Sequence, residues 1–543
     1  MNKISSILKI GATLIAIVLL QACATAPLPK ITNKQAKGVL ESIKPDEKLN
    51  PIVLSISFNS GIIYPSLKIE SLTEKTAIQK NNKIYEIKVI NSDVSRSTFI
   101  YSGQLPAGEY RIVELSNYQP SPNPFLSGKI QFINLNDKDK LHPMGTFKVL
   151  ENTTTDLGRI NLTHANDAYF IARSAKHFSN KDLISKLKNN YLEAIYKDKI
   201  LNGWTQPVTA LEKNTGDESK ILPFGMQCFK ELKDNTIVAS SKIGSVFFLP
   251  LQDTNKKTKI FQSNDNLAFD CITVKENYNF DFLAYGEMNT LYKHLKESDV
   301  LTSIDTGNLP IGIISSIVGD DKNGWFLSHI VGHKATVYKS NRLENGNWQP
   351  IIQKEILDNF WGLSGFWLWE DEQGFSYADM YGNINNYNYI TKKWSENKVP
   401  NNENISQLIV NPDKSISIIT SKRGFAGIFS NLFNTNDHGM TWQKVNSPFK
   451  VNVFPAQVSK QGDLYISGAQ FNWEKLAISE DSGRTWKMHE IMSPSSIVTL
   501  NSGEIINILY SGQYALVKIS NDKGKSWKTL YSTYNSNLIN SSK

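Results

Sequence analysis

The sequence predicts an all-β protein in which a seven-bladed β-propeller follows a β-sandwich. One phrase occurs three times near the C-terminus, at residues 435–442, 479–486 and 520–527, and its aspartates lie 44 and 41 residues apart. A fixed period of this size is typical of repeat arrays. Between residues 50 and 175, short runs of alternating apolar and polar residues indicate antiparallel strands. A segment with helical periodicity separates the two regions.

The N-terminus has the form of an export signal. Lys3 and Lys9 precede a short apolar run from Ile10 to Leu20. The run is too short to be a typical membrane span. The segment Leu20-Gln21-Ala22-Cys23 resembles the lipobox of bacterial lipoproteins. This resemblance implies that residues 1–22 are a signal peptide and that Cys23 becomes the lipidated first residue.

Ordinary cleavage near Ala22 to Ala26 is the alternative to lipidation. Ala24 stands where an aspartate often retains lipoproteins in the inner membrane. The resemblance therefore implies a lipid anchor in the outer membrane of the cell envelope, facing the periplasm or the exterior. Residues 23–49 mix Pro, Lys, Asn and Ala without periodicity, and we expect a flexible tether there.

The region 50–175 is expected to be a β-sandwich. Its predicted strands cover 52–58, 83–90, 98–101, 109–115, 129–133 and 146–150. The phrase Gly103-Gln-Leu-Pro106-Ala-Gly108-Glu-Tyr110 resembles a turn of transthyretin-like and immunoglobulin-like modules, which implies a module of that type.

The segment 179–200 predicts a linker helix. Leu183, Leu187 and Ile195 recur at helical steps between lysines, and Ser179 or Asn180 could cap the first turn. We expect this helix to pack against the propeller and to join the two β domains.

Seven blades are counted from seven tight polar turns, each followed by a β run. The turns lie at 233–235, 276–277, 321–324, 372–374, 411–413, 461–463 and 501–503. Trp348 and Trp394 continue the spacing of the repeated phrase upstream. We place the propeller at 204–532, with Trp204 as a possible closing strand and six blades as the alternative.

The repeated phrase, [Ser/Thr]-x-Asp-x-Gly-x-[Thr/Ser]-Trp, resembles the Asp-box of sialidase-type (BNR repeat) propellers. We expect its residues to hold turns between the third and fourth strands, with the aspartate bonding local amides, the glycine at positive φ and the tryptophan buried. These residues are Asp437, Gly439, Trp442, Asp481, Gly483, Trp486, Asp522, Gly524 and Trp527.

Sialidase chemistry is not expected, because the family grips the sugar carboxylate with three arginines. The propeller region has only Arg342, Arg423 and Arg484, of which only Arg423 falls in an expected ligand loop. His329 and His333 are too far apart on a strand to share a metal ion unless Gly332 bends the chain, and the sequence has no Gly-x-Ser-x-Gly elbow, phosphate loop or clustered Cys/His spacing. No metal, cofactor or catalytic residue is therefore assigned.

The cysteines and the charge add two expectations. Cys228 and Cys271 are one repeat apart, which allows either a disulfide or two buried thiols. The formal charge of +8 falls to +6 without Lys3 and Lys9 and is spread among many acidic residues, which gives little support for nucleic-acid binding.

A ligand is expected on loops that join the second and third strands or successive blades. Large or charged side chains stand beside glycine in several of these loops. The candidates are Trp361, Tyr381, Arg423, Phe425, Phe471, Trp473 and Tyr514. Packing between blades is the alternative for Trp361, Phe471 and Trp473, whereas Phe366, Trp367 and Trp369 are expected to lie in the core.

These features predict a non-catalytic, lipid-anchored envelope protein whose propeller binds a protein or glycan partner. Such a protein resembles Asp-box propellers that act as assembly or scaffold factors, including relatives of photosystem assembly proteins. The alternative is a glycan-active hydrolase of unrecognised type on a sialidase-like propeller that lacks the arginine triad.

Overall fold

The fold was analysed in a computed structural model. It describes residues 49–532 apart from 59–63, 76–81, 120–128, 136–143, 166–167, 175–177, 188–195, 222–227, 252–257, 276–277, 357–364, 423–429, 453, 471–472, 492–496 and 512–513. The predicted signal peptide, Cys23 and most of the predicted tether lie outside the described residues. Within them, no helix has the length and apolar character of a membrane span.

Ten strands form a single N-terminal sheet. They are Asn50–Phe58, Ser66–Lys75, Asn82–Val89, Thr98–Leu105, Gly108–Gln119, Lys129–Asn134, Phe147–Val149, Thr154–Ala165, Ala168–Arg173 and Ile200–Leu201, numbered β1 to β10. The order is β10-β8-β1-β4-β3-β2-β5-β6, with β7 on β5 and β9 on β8. Nine of the strands contribute to one apolar core, so the sheet encloses its interior in a sandwich-like manner.

The predicted turn at Pro106 to Tyr110 is part of this core. The hydroxyl of Tyr110 donates to the carbonyl of Pro106 at 2.8 Å, and its ring stacks on Phe147 at 5.7 Å. Tyr110 is completely buried. The hydrogen bond lets a polar hydroxyl enter the core without losing its partner.

The structure describes two α-helices, one between β9 and β10 and one after β10. The described part of the predicted linker helix is α1, Asn180–Leu187, which packs on β1 and β8. The second helix, α2 (Ala210–Ile221), was not predicted. Thr209 and Glu212 form a reciprocal capping box at its start, in which each backbone N–H donates to the other side chain.

Trp204 belongs with the N-terminal sheet and does not close the propeller. It forms an isolated bridge with Phe147, and its indole N–H donates to the carbonyl of Leu157 at 2.9 Å. The guanidinium of Arg173 lies 4.8 Å from its ring. α2 also packs on this sheet, against β8 and β9. The first propeller strand starts after it, at Phe229.

Seven four-stranded antiparallel sheets form the propeller. Blade 1 consists of Phe229–Glu231, Thr236–Ser240, Ser245–Pro250 and Lys259–Gln262. Blade 2 consists of Phe269–Val274, Phe280–Gly286, Leu291–Leu295 and Leu301–Ser303. Blade 3 consists of Ile313–Asp320, Gly324–Val331, Lys334–Ser340 and Gln349–Glu355. Blade 4 consists of Phe366–Glu370, Gly374–Asp379, Asn383–Asn388 and Trp394–Lys398. Blade 5 consists of Asn404–Val410, Ile416–Ser421, Asn431–Thr435 and Gln443–Val445. Blade 6 consists of Gln457–Val458, Leu464–Gln470, Trp473–Ser479 and Lys487–Glu490. Blade 7 consists of Ile497–Thr499, Ile505–Ser511, Tyr514–Ser520 and Lys528–Ser532.

The strands of each blade are named A to D in chain order. Seven blades are confirmed, and the six-bladed alternative is wrong. The expected polar turns join strands A and B, except that 276–277 lies outside the described residues. Phe366 and Trp369 are buried as expected, and Trp367 is partly buried against the cluster that contains Trp369.

Among the described strands the ring closes without strand exchange, because the four strands of blade 1 and the four of blade 7 are each continuous in sequence. An apolar cluster that includes Ile237, Phe247 and Ile506 fills the junction between them. The carboxylate of Glu231, in blade 1, also accepts hydrogen bonds from the backbone of Asn501 and Ser502 in blade 7. Side-chain packing and charge-assisted hydrogen bonds therefore close the ring.

Candidate partner-binding face

The antiparallel blades give the propeller two chemically different faces. The loop face carries the B–C loops and the connections between blades; the box face carries the A–B turns and the C–D turns, which include the three repeated turns at 435–442, 479–486 and 520–527. We call these three the box turns. The predicted ligand residues were assigned to the loop face.

The N-terminal sheet covers the loop face at blades 1 to 3. The propeller residue with the most hydrogen bonds to this sheet is Glu287, which lies in a short 3-10 turn (Glu287–Asn289) in the B–C loop of blade 2. Its Oε2 accepts the backbone N–H groups of Arg96, Ser97 and Thr98 at 3.1, 3.0 and 3.2 Å, and the hydroxyl of Ser95 as well. Glu287 is 1% exposed, so the sheet supplies the hydrogen bonds that water would otherwise give this carboxylate.

Further contacts extend this interface on both sides of Glu287. Gly332, in the B–C loop of blade 3, donates its N–H to the carbonyl of Asp93 at 2.8 Å. Arg96 forms an ion pair with Asp270 at 3.3 Å, and Arg159 donates to the carbonyl of Asp265. An apolar cluster lies beneath these polar contacts and contains Val53, Val94, Ile100, Leu183, Ile184, Leu267 and Met288.

α1 takes part in this apolar cluster through Leu183 and Ile184. The described part of the helix therefore packs against both the sheet and the propeller loops, as expected from the sequence. Asn180 at its start is anchored by Asp156, which accepts the Asn180 backbone N–H at 2.8 Å and its amide N–H at 2.7 Å. This polar anchor fixes where the helix leaves the sheet.

Tyr381 is the predicted ligand residue whose side chain the structure describes. It lies in the B–C turn of blade 4 and is 47% exposed. Asp379, itself buried, accepts the Tyr381 N–H at 3.0 Å and the Asn383 N–H at 3.1 Å. These bonds hold the turn, and positive φ at Gly382 completes it, so an exposed aromatic ring stands on a rigid base.

The other predicted ligand residues are less fully described. Trp361, Arg423, Phe425 and Phe471 lie outside the described residues. Trp473 and Tyr514 begin strand C of blades 6 and 7, next to the B–C loops. Both positions agree with the loop face expected from the sequence.

The box turns have the predicted hydrogen bonds. In the first of them, Thr435 donates its hydroxyl to Asp437 at 2.7 Å and accepts the N–H of Gly439 at 3.0 Å, while Thr441 donates its N–H to Asp437 at 2.8 Å. The bonds from Thr441 lower the pKa of Asp437 to about 2. The same pattern lowers the pKa of Asp481 and Asp522 well below the usual value.

Each box turn also packs against the preceding blade. Trp442, Trp486 and Trp527 are partly buried in clusters that combine residues of two successive blades. The residue after the box aspartate contacts a carboxylate of the preceding blade in two cases: His438 Nδ1 lies 3.1 Å from Asp371, and Lys523 forms an ion pair with Asp463 at 2.7 Å. The box turns therefore hold neighbouring blades together.

The box face also exposes apolar side chains, which the sequence reasoning did not anticipate. Ile390 is 86% exposed and Met440 is 66% exposed, and both lie in C–D turns of neighbouring blades. Val410, at the A–B turn of blade 5, is exposed as well. Exposed apolar residues of this kind can mark contact surfaces when they cluster, so the box face is the natural comparison in any test of the loop face.

Two buried histidines, His329 and His294, have structural partners, and the first of them is one of the two considered as metal ligands from the sequence. His329 is buried, bonds Asn289 at 3.0 Å, and has its pKa lowered to about 4 mainly by burial. His294 uses both ring nitrogens, on Asp281 and the Ser298 carbonyl, each at 3.0 Å. Among the described residues, no three His, Cys, Asp or Glu side chains are grouped as metal ligands would be.

Cys228 and Cys271 are joined by a disulfide, with Cα atoms 4.9 Å apart. Cys228 directly precedes strand A of blade 1, and Cys271 lies in strand A of blade 2. The bond therefore covalently links the first two inner strands of a ring that otherwise closes without strand exchange.

Comparisons with known proteins concern the fold alone. No family model and no curated protein matches the chain. The WD40 β-propeller domain of Doa1 is similar, with a TM-score of 0.37 and 12% identity over 55% of this chain and 94% of that chain. A structure of YCF48 bound to D1 peptide has a TM-score of 0.38 and 13% identity, over 56% of this chain and 92% of that chain.

Proposed function

We propose that this chain is a non-catalytic binding protein of the cell envelope, anchored by lipid at Cys23, whose propeller holds a protein partner on the loop face of blades 4 to 7. The observation that carries the proposal is that the N-terminal sheet covers one part of the loop face, whereas Tyr381 is exposed in another part. The contacts of Glu287, Gly332 and Asp265 hold the chain's own N-terminal sheet on the loop face at blades 1 to 3. Tyr381 on blade 4 stays exposed on the same face.

The nature of the exposed side chain favours a protein partner. Tyrosine is enriched at protein interfaces because it adds a large, rigid contact area and a hydroxyl at little entropic cost. The Asp379 hydrogen bonds hold the Tyr381 turn in place before any partner arrives, which lowers the cost of ordering on binding. A glycan remains the other class of ligand that the sequence suggested, and the test below separates the two.

The buried polar groups support a binding role over a catalytic one. Arg173 donates to both Glu212 oxygens and to the carbonyls of Gln206 and Pro207. Glu287 accepts four hydrogen bonds across the interface and a fifth from Ala268. These groups have structural partners, whereas a catalytic acid, base or carboxylate clamp needs capacity left for a substrate.

The partner is tested by site-specific photo-cross-linking in intact cells. A photoreactive phenylalanine analogue is placed at Tyr381, and at Met440 as the control on the box face. We expect one discrete protein adduct from position 381 and none from position 440. Adducts whose added mass is removed by glycosidases would instead indicate a glycan, and adducts from position 440 alone would contradict the choice of face.

Lipid anchoring is tested separately. Mass spectrometry of the membrane-associated protein is expected to find Cys23 as a lipidated N-terminal residue. The Cys23→Ser variant is expected to lose membrane association. An unmodified N-terminus between residues 22 and 26 would contradict the anchor without affecting the partner-binding face.

A further inference from the structure

A polar cavity of about 290 Å³ lies at the junction of the N-terminal sheet, α2 and blade 1. Asn161 and Arg173 reach it from β8 and β9, Gly216 lines it from α2, and Gln262 and Asn266 lie at the end of blade 1. Its volume is near the lower end of the range for small-molecule sites. It is separate from the proposed partner-binding face on blades 4 to 7.

Gly216 keeps one wall of this cavity open. It lies in the interior of α2, where glycine is less favourable than alanine. A Cβ built on Gly216 meets no other atom within 4 Å, so close packing does not account for the glycine. The space that a side chain would fill is the cavity itself.

Asn161 supplies an unsatisfied polar atom on the opposite wall. Its residue is 4% exposed, and its Oδ1 has no hydrogen-bond partner among the described residues. Buried amide oxygens in folded proteins are nearly always bonded. A donor from a molecule bound in the cavity that Asn161 lines would satisfy this oxygen.

The charges on the walls are largely compensated, which points to a neutral ligand. Arg173 is paired with Glu212 at 2.6 Å, and Lys220 is paired with Asp217 at 2.9 Å. Lys213 is exposed at the rim. The remaining lining is rich in carboxamides, which both donate and accept, and it includes the ring of Phe178.

Two of these carboxamides are held in place before a ligand binds. Gln262 donates to the Ile243 carbonyl at 2.6 Å and to Asn266 Oδ1 at 2.8 Å. Ser245 donates its hydroxyl to Gln262 Oε1 at 2.6 Å. Both amide hydrogens of Gln262 are used in these bonds, so this pair fixes the shape of the wall, and each amide oxygen keeps a second lone pair that can accept from a ligand hydroxyl.

We propose that this cavity binds one neutral, polyhydroxylated ring of monosaccharide size, with Asn161 as a direct hydrogen-bonding residue and Gly216 as the residue that leaves room for it. The site joins the N-terminal sheet, α2 and the propeller, so its ligand stabilises their mutual position by binding only the folded arrangement.

Ligand-observed NMR on the full mature chain tests the proposal, with D-glucose, D-galactose, N-acetyl-D-glucosamine and D-glucuronate as probes. At least one of the three neutral sugars is expected to bind and to raise the Tm. Gly216→Leu is expected to abolish binding by filling the cavity. Asn161→Ala is expected to weaken binding about tenfold, the effect of losing one buried hydrogen bond.

Gly216→Ala is the matched control for folding. It is expected to raise the Tm of the free protein, because alanine favours the helix and its Cβ meets open space. Failure of all three neutral sugars to bind, binding of glucuronate alone, or binding unchanged in both Gly216→Leu and Asn161→Ala would overturn the proposal. If Gly216→Leu does not fold, the Asn161→Ala affinity decides.

Discussion

The carboxylate of Glu287, in blade 2 of the propeller, accepts the backbone N–H of Ser97, in the N-terminal sheet, at 3.0 Å. The same oxygen accepts the N–H groups on either side, from Arg96 and Thr98. One acidic side chain therefore satisfies three consecutive amides of another domain. This relationship places the N-terminal sheet on the loop face of blade 2.

Replacing Glu287 by Gln tests the contact. Glutamine keeps the shape, but it removes the charge and turns an NH₂ group towards donors, so we expect a loss of about 1–3 kcal/mol in the free energy of unfolding. Urea unfolding measures the loss, and hydrogen exchange at residues 96–98 is expected to become faster. Glu151→Gln, at an exposed turn between β7 and β8, is the control; an equal effect of both variants would contradict the account.

The Cys228–Cys271 disulfide is expected to stabilise the start of the ring. For a separation of 43 residues, the chain-entropy model gives about 4 kcal/mol. Calorimetry with and without reductant should show a lower Tm on reduction, and the Cys228→Ser/Cys271→Ser double variant should not respond to reductant. Alkylation of both cysteines in the unfolded, unreduced protein would contradict the bond.

The box aspartates predict a loss of stability in acid. The pKa of Asp437 is lowered from 3.8 to about 2 by hydrogen bonds in the folded state. Its contribution to stability is therefore complete above about pH 4, the value for an unfolded aspartate, and is lost as the pH falls towards about 2. Unfolding measured from pH 5 to pH 2 should show this loss.

The Asp437→Ala variant should show a smaller change in stability over the same pH interval. The control is Asp299→Ala, because the Asp299 side chain is 83% exposed in a surface ion pair, for which little stabilisation is expected. Identical pH profiles for wild type and Asp437→Ala would contradict the assigned role of the box.

A pair of glycine variants separates blade contact from backbone strain. Gly524 and Gly462 both have positive φ, 81° and 87°. A Cβ at Gly524 would lie 2.7 Å from Leu476 of the preceding blade, whereas a Cβ at Gly462 meets nothing within 4 Å. Chemical denaturation should show that Gly524→Ala is less stable than Gly462→Ala by about 1–3 kcal/mol, the cost of overpacking. Equal losses would mean that strain alone accounts for the glycine.

Much of the fold was predictable because the determining residues are local and repeated. The tight polar turns and the box phrase each specify a connection within a few residues, so counting them gave seven blades and the correct faces. The strands missed in the N-terminal sheet have weaker patterns. Thr154–Ala165 contains the buried polar residues Asp156, Arg159 and Asn161, which obscure the alternation of apolar and polar residues.

α2 and the domain interface could not be predicted from apolar periodicity, because polar residues occupy their buried positions. The buried face of α2 carries Glu212, Thr215 and Ser219 instead of apolar residues. Its only local signal was the capping box from Thr209 to Glu212, which the sequence reasoning overlooked. Glu287 gave no signal, because its partners are about 190 positions away in the chain.

The most direct test of the central claim is the affinity of the cross-linked partner for the purified chain, measured for wild type, Tyr381→Ala and Met440→Ala. If the partner binds the loop face of blades 4 to 7, Tyr381→Ala should raise Kd at least about tenfold, as for an aromatic residue central to an interface. Met440→Ala should leave Kd unchanged. Weakened binding in Met440→Ala with wild-type affinity in Tyr381→Ala would place the partner on the box face and contradict the account.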